Sequence, residues 1–143
     1  MTTFLDFFRL PTLFPGYASN VNEIENIEQA VYHNLGENEL ILPYIQKHEM
    51  EALIFSDIKG LEFVVDDQKQ LLRIKEIIEK YPNPEDINSS PQGAPSKRLE
   101  DIFSYDKVAN GELILAELGI EIILKKCLRF ANWIYKIENM LKA

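Results

Sequence analysis

The sequence predicts an α/β protein, with a short parallel βαβ sheet followed by a mostly helical C-terminal part. Three observations predict it. Residues 2–8 and 40–46 are β-branched, aromatic and apolar runs of strand length. Between them Ile24, Ile27, Val31 and Leu35 recur at helical spacing, and two strands joined through a helix run parallel. From residue 66 onward the apolar periodicity is helical. The 143 residues suit one domain, with a strand/helix part over 1–65 and a mainly helical part over 66–143.

The first strand alternates Leu5 and Phe7 with Asp6 and Phe8. It has no lead-in, which points to an edge strand or to a missing upstream segment. Residues 10–20 carry two prolines and a glycine, and Pro15-Gly16 reads as a turn. Asn20 or Asn22 caps the next helix, Glu23 and Glu25 suit its positive end, and Gly36 ends it. The second strand runs to Gln46, with His48 just beyond. Residues 49–55 read as one or two helical turns, and 61–65 as a strand or a helix start. Asp66 or Asp67 then caps a helix to about Lys80, with Leu71, Ile74, Ile77, Ile78 and Tyr81 in one stripe.

Residues 82–95 hold four prolines and a glycine, and they read as an ordered surface loop. Within it Asn83, Glu85, Asp86, Asn88 and Ser89 suit side-chain to backbone bonds. Helices follow at 96–103, at 111–118 with Gly119 as a stop, at 120–127 and at 130–141. The stripe Phe130, Trp133, Ile134, Ile137 and Leu141 is core or a face for a partner subunit. A two-stranded sheet is marginal alone, so partner strands from outside this chain are expected.

Composition narrows the function. With 46% apolar residues the chain can build a core. A net charge of −8 disfavours non-specific coating of nucleic acid, which rests on many Lys/Arg–phosphate contacts, though it leaves room for a local basic patch. The single Cys127 excludes an internal disulfide and reads as a small apolar residue. The opening MTTFLDFFRL lacks the basic stretch of a signal peptide, and no apolar run approaches the roughly 20 residues that span a bilayer. The expectation is a soluble, cytoplasmic protein with no membrane partner.

Two clusters carry candidate chemistry. In open parallel sheets ligands bind at the C-terminal strand ends. Asp6 stands at one such end, and His48, Glu49 and Glu51 stand at the other. Carboxylates gathered there are how hard cations such as Mg²⁺ are held, with waters and substrate phosphates completing the shell. Each acid also has a plain reading as a helix cap or a solvated turn, and His48 as a hydrogen-bonded structural residue. HEMEA lacks the second histidine of a zinc-protease motif. If Glu49 opens a helix, Glu51 points elsewhere, so at most one glutamate faces the site, and Glu51 is favoured. The second cluster is Ser96, Lys97 and Arg98, with Tyr105 and Lys107 beyond. Cations at a helix start oppose the dipole. A bound anion would offset that cost, as would pairing with Glu85, Asp86 or Glu100.

Several stretches together resemble one bacterial family: DFFRLPTLFPGYA, LPYIQKHEMEALIFSDI, NPEDINSSPQGAPSKRLEDIF, YDKVANGELILAELGIEIILKKC and FANWI. They are similar to the domain of unknown function DUF4276, over nearly the whole chain. The resemblance implies a Toprim-like fold and a Mg²⁺-dependent nuclease or phosphotransfer activity. It also implies work beside an ABC/RecF-like or AAA-type ATPase in phage defence or DNA metabolism. Asp6 would then lie on the acid-bearing strand. Asp6, His48, Glu49 and Glu51 would be catalytic, Asp6 and Glu51 metal ligands, and Ser96, Lys97, Arg98 and Lys107 phosphate-binding. Three departures qualify this. The family's upstream strand ending in Val-Glu-Gly-x-Thr-Glu has no counterpart, so the chain matches the C-terminal two-thirds. Asp6 is followed by Phe7-Phe8, without a second acid. Cys127-Leu128-Arg129-Phe130 stands where the family tends to Cys-Pro-x-Phe. A chain so truncated would bind Mg²⁺ weakly or not at all and be inactive alone. The alternative is a non-catalytic subunit, or a remnant, that binds the ATPase; nucleic acid and a second copy of the chain are further expected partners.

Overall fold

Strands joined by a helix must meet side by side in the same direction, and these do. In the computed structural model, which describes residues 1–88 and 90–143, β1 (Leu5–Asp6) pairs in parallel with β2 (Ile45–Gln46), Leu5 opposite Ile45 and Asp6 opposite Gln46. Both strands are shorter than their apolar runs. A separate parallel bridge joins Thr2 to Leu42, but the ladder between is interrupted. The Thr3 hydroxyl takes over there, donating to the Tyr44 carbonyl at 2.9 Å and accepting from the Tyr44 N–H at 2.8 Å. Pro43, beside it, has no N–H to give.

The crossover is α1 (Ile24–Asn34), entered through a single 3₁₀ turn, Val21–Glu23. The Asn20 side chain caps that turn by accepting from the Asn22 N–H at 2.9 Å. Ile24, Ile27 and Val31 are buried, and Ile24 and Ile27 meet Phe7 and Ile45 of the strands. The Pro15-Gly16 turn lies against this helix. Gly16 has φ +68°, and a Cβ there would stand 2.5 Å from that of Ala30, so both backbone and space demand glycine.

Beyond β2 the chain forms a 3₁₀ helix, Met50–Ser56, and everything from Glu51 to Ser56 is buried. This segment is the hub of the molecule. Four later helices pack on it: α3 (Gln68–Lys80), α4 (Pro95–Ile102), α5 (Gly111–Leu118) and α6 (Ile120–Lys126). The short α2 (Lys59–Glu62) stands where a strand or helix start was expected; Gly60 brings it against the Ile114 carbonyl of α5, 2.4 Å from where a Cβ would be. Asp67 caps α3 through the Gln70 N–H, and Gly119, at φ +80°, separates α5 from α6. The last helix, α7 (Leu128–Lys142), brings Trp133 onto Tyr44 in a stack 4.5 Å between centroids.

The proline-rich segment is more than a surface loop. Ile87, Ala94 and Glu85 are each buried to 1% exposure or less. Glu85 holds the C-terminal helix in place. Its carboxylate accepts from the free N–H groups of Arg129, at 2.8 Å, and Phe130, at 3.0 Å, and from the Gln46 amide at 3.3 Å. The positive end of α7 thus compensates a buried charge. Asn83 in turn accepts from the Glu85 N–H at 3.0 Å, as the loop reading expects. Ser89, included in that reading, lies outside the described residues. Glu85→Ala leaves these donors unsatisfied and is expected to cost about 3 kcal/mol in a urea titration, with a smaller loss for Glu85→Gln.

Candidate functional site

The C-terminal ends of the two strands open onto the hub helix, and this fixes the acids. Backbone bonds prolong the ladder past the strands, from the Phe7 N–H to the Gln46 carbonyl and from the Phe8 N–H to the His48 carbonyl. Asp6, the last residue of β1, turns its carboxylate to the start of the hub, where Oδ1 accepts from the Met50 N–H at 2.8 Å. The next residue, Glu51, is 2% exposed. The Lys107 ammonium stands between the two acids, 3.2 Å from Glu51 Oε1, 3.4 Å from Glu51 Oε2 and 3.7 Å from Asp6 Oδ2. The Tyr105 hydroxyl donates to Glu51 Oε1 at 3.5 Å. Lys107 rides on a turn in which Asp106 accepts from the Ala109 N–H and Asn110 from the Asp106 N–H, both at 2.7 Å.

Glu49, Glu51, Tyr105 and Lys107 line a polar cavity of about 340 Å³, with Arg9, Ser96 and Lys97 on its walls. Burial raises the Asp6 pKa above its ordinary 3.8; Lys107 and the Met50 N–H pull it back, and the charges of Glu51 and Glu49 add to the rise. Burial works against the Lys107 charge, yet Glu51, by charge and hydrogen bond, and then Asp6 carry its pKa above 10.5. Burial and the neighbouring Glu51 raise the Tyr105 phenol, which stays a donor at neutral pH. The site is therefore two carboxylates around one cation.

The sequence-predicted residues distribute unevenly over this geometry. Asp6, Glu51 and Lys107 come together. Asp6 is not among the residues that line the cavity, whereas Glu49 lines it beside Glu51, against the expectation that at most one glutamate would. Glu49 is extended, with φ −138° and ψ 155°, outside the helix that Met50 opens, so helical spacing does not separate the two. Its oxygens are engaged, however. They accept from the Ser96 N–H at 2.9 Å and the Ser96 hydroxyl at 3.0 Å. The anion expected at the start of α4 is thus the protein's own Glu49. Lys97 pairs with Glu100 at 2.5 Å. Arg98 lines a different cleft, where its Nε donates to the Gly93 carbonyl at 2.6 Å. Ser96, Lys97, Arg98 and Lys107 do not form one phosphate cradle.

His48 does not line the cavity either. It stands two residues past β2 in the left-handed region, at φ +65°, a conformation histidine tolerates better than bulkier residues do. Burial and the adjacent Lys47 lower its pKa to about 4, against the pull of Asp86, so the ring is neutral at pH 7. Arg9 was not foreseen as part of the site, and Tyr105 was read only as a companion of the second cluster, not as a partner of Glu51. Arg9 lies three residues past the end of a strand, and Tyr105 two before Lys107; in both cases a turn rather than a periodic element sets the direction. Among the described residues no group of three or more His, Cys, Asp or Glu converges as a metal cluster, and no helix is long and apolar enough to cross a membrane.

The raised Asp6 pKa means that the folded state holds this proton more tightly than the unfolded chain. Ionised Asp6 therefore costs stability above its folded pKa, and the cost vanishes below 3.8, where both states are protonated. Asp6→Asn keeps an acceptor for the Met50 N–H. It is expected to melt higher than the parent at neutral pH, the gap closing as pH falls below 3.8.

Comparison with known proteins agrees with the quoted stretches. No curated protein and no solved structure matches the chain. One family model does, described as a domain of unknown function, and it matches residues 1–138. Nearly the whole chain is covered, and the protein belongs to the DUF4276 family.

Proposed function

We propose that the acidic cavity and the Asp6 carboxylate that reaches its Lys107 form a site for phosphate-ester chemistry, where Asp6 and Glu51 would hold Mg²⁺ in a Toprim-like nuclease or phosphotransfer domain working with an ATPase partner. The observation that carries the reading is the shared cation: the carboxylate that ends β1 and a carboxylate of the hub helix after β2 turn toward one ammonium. The donor set fits the ion. Mg²⁺ binds through one or two carboxylates and keeps several waters, so two oxygen ligands suffice where substrate phosphate completes the shell. Lys107 marks the position that a cation takes, and its side chain, half exposed, has room to withdraw.

Mg²⁺ bound there would supply charge to the developing oxyanion and a more acidic water. The chain's own groups do the remaining work. Lys107, displaced toward the cavity mouth, and Arg9 offer cationic contacts to a phosphate, which a buried pair of acids would otherwise repel. Tyr105 stays protonated and donates. Asp6 Oδ1 accepts from the Met50 N–H, which leaves Oδ2 toward the cation position.

A second reading is a non-catalytic subunit that binds the ATPase. It is favoured by where the acids are spent: Glu49 on the start of α4, and one oxygen of Asp6 on the start of the hub. Glu51→Gln separates the two readings, because it keeps the shape and removes the charge. With the ATPase partner present, nucleic-acid cleavage is expected to fall about a hundredfold or more, with the thermal melt retained. Full cleavage, or full protection in cells, with Glu51→Gln supports the subunit reading instead.

A further inference from the structure

A second cleft, of about 560 Å³, lies between α3 and α4. Neighbouring residues of α4 divide between the two hollows: Lys97 and Glu100 line the acidic cavity, Arg98 and Asp101 the cleft. Three cations face into it. Arg73 and Lys80 stand seven residues apart on α3, which is two turns and therefore one face. Arg98 comes from the opposite wall.

These cations are held, yet none is neutralised. The Arg73 Nη1 donates to the Asp101 backbone carbonyl at 3.3 Å. Arg98 donates through Nε to the Gly93 carbonyl, and its guanidinium lies 5.5 Å from the Tyr81 ring centroid. The Lys80 ammonium is 5.5 Å from the same ring. Among the described residues none of the three forms an ion pair with a carboxylate, although Glu76 and Asp101 also line the cleft. The wall behind Arg98 is close-fitting. A Cβ on Gly93 would lie 2.5 Å from both Asn88 Oδ1 and Ser90 Oγ, and 3.4 Å from Arg98 Nη2.

We propose that this cleft binds the phosphates of a nucleic-acid strand. A guanidinium anchored through Nε and braced on a ring presents its remaining N–H groups in a fixed fork, the geometry that suits phosphate oxygens. Arg73 and Lys80 are about 10 Å apart along α3, farther than one phosphate reaches, so the row suits a chain of phosphates. The inference stands apart from the acidic cavity and uses none of its residues.

The test is fluorescence anisotropy of the full chain with a labelled single-stranded oligonucleotide, between about 50 and 200 mM salt. ATP and inorganic phosphate serve as unlabelled competitors. The double variant Arg73→Gln/Lys80→Gln changes two exposed side chains and preserves the fold. It is expected to weaken binding roughly tenfold or more and to flatten the log–log salt slope by about 1.4. Lys75→Gln, an exposed cation of α3 outside the cleft, is expected to bind nearly as the parent does. Binding of ATP alone, lost in the same double variant, keeps the phosphate site and makes a nucleotide its occupant. No binding of either, or equal loss in Lys75→Gln and the double variant, overturns the proposal. Cleavage is not read, so a failure here is distinct from a failure of the acidic site.

Discussion

The burial of Glu51 is the constraint around which the rest is arranged. A carboxylate 2% exposed is costly unless charge and hydrogen bonds reach it. It cannot move outward, because the 3₁₀ helix that bears it is clamped by four later helices. Compensation has to come to it, and Lys107 and Tyr105 bring it from the turn before α5. The same turn places Lys107 near Asp6, which starts the hub helix through the Met50 N–H. Sheet end, hub and C-terminal helices are thereby joined through one ionic cluster. A group so expensive to bury and held by a half-exposed lysine is what a site looks like when position matters more than stability.

Glu85 solves the same problem differently. Its charge is met by two backbone N–H groups at a helix start and by a glutamine amide, all internal. Nothing mobile takes part, and the result is a structural joint between β2 and α7. Glu49 follows that pattern with Ser96. Among the buried acids, Glu51 differs because its partner reaches in from a solvent-facing turn. Glu85 and Glu49 thus join elements of the fold through groups at helix starts, whereas Glu51 is held by side chains from a turn.

Much of this was legible in the chain. The spacing of Ile24, Ile27 and Val31 marked α1 and hence the parallel pairing, and Asp67 and Gly119 marked helix ends as read. Strand length was not legible, since the hydroxyl of Thr3 replaces a ladder bond and no propensity encodes that exchange. At the site, Asp6 and Glu51 were found from their places after strands. Glu49 was misjudged because helical spacing was applied across a residue that is extended. The pairing of Ser96 with Glu49 and the turning of Arg98 toward Gly93 are contacts between residues distant in the chain or set by a loop, and such contacts have no local signature. Arg98 nonetheless serves a cationic surface, in a different cleft from the one expected.

The central claim is that Asp6 and Glu51 form one position for a cation, filled by Lys107 and exchangeable for Mg²⁺. The most direct measurement is an NMR titration with Mg²⁺ of protein carrying ¹³C in its carboxylates and ¹⁵N in its lysines. The Asp6, Glu51 and Lys107 side-chain signals are expected to move together, and Lys107→Met, which removes the competing charge, is expected to bind the ion more tightly. Signals that stay still in both proteins, or weaker binding in Lys107→Met, would contradict that claim and leave the cluster a purely structural ion pair.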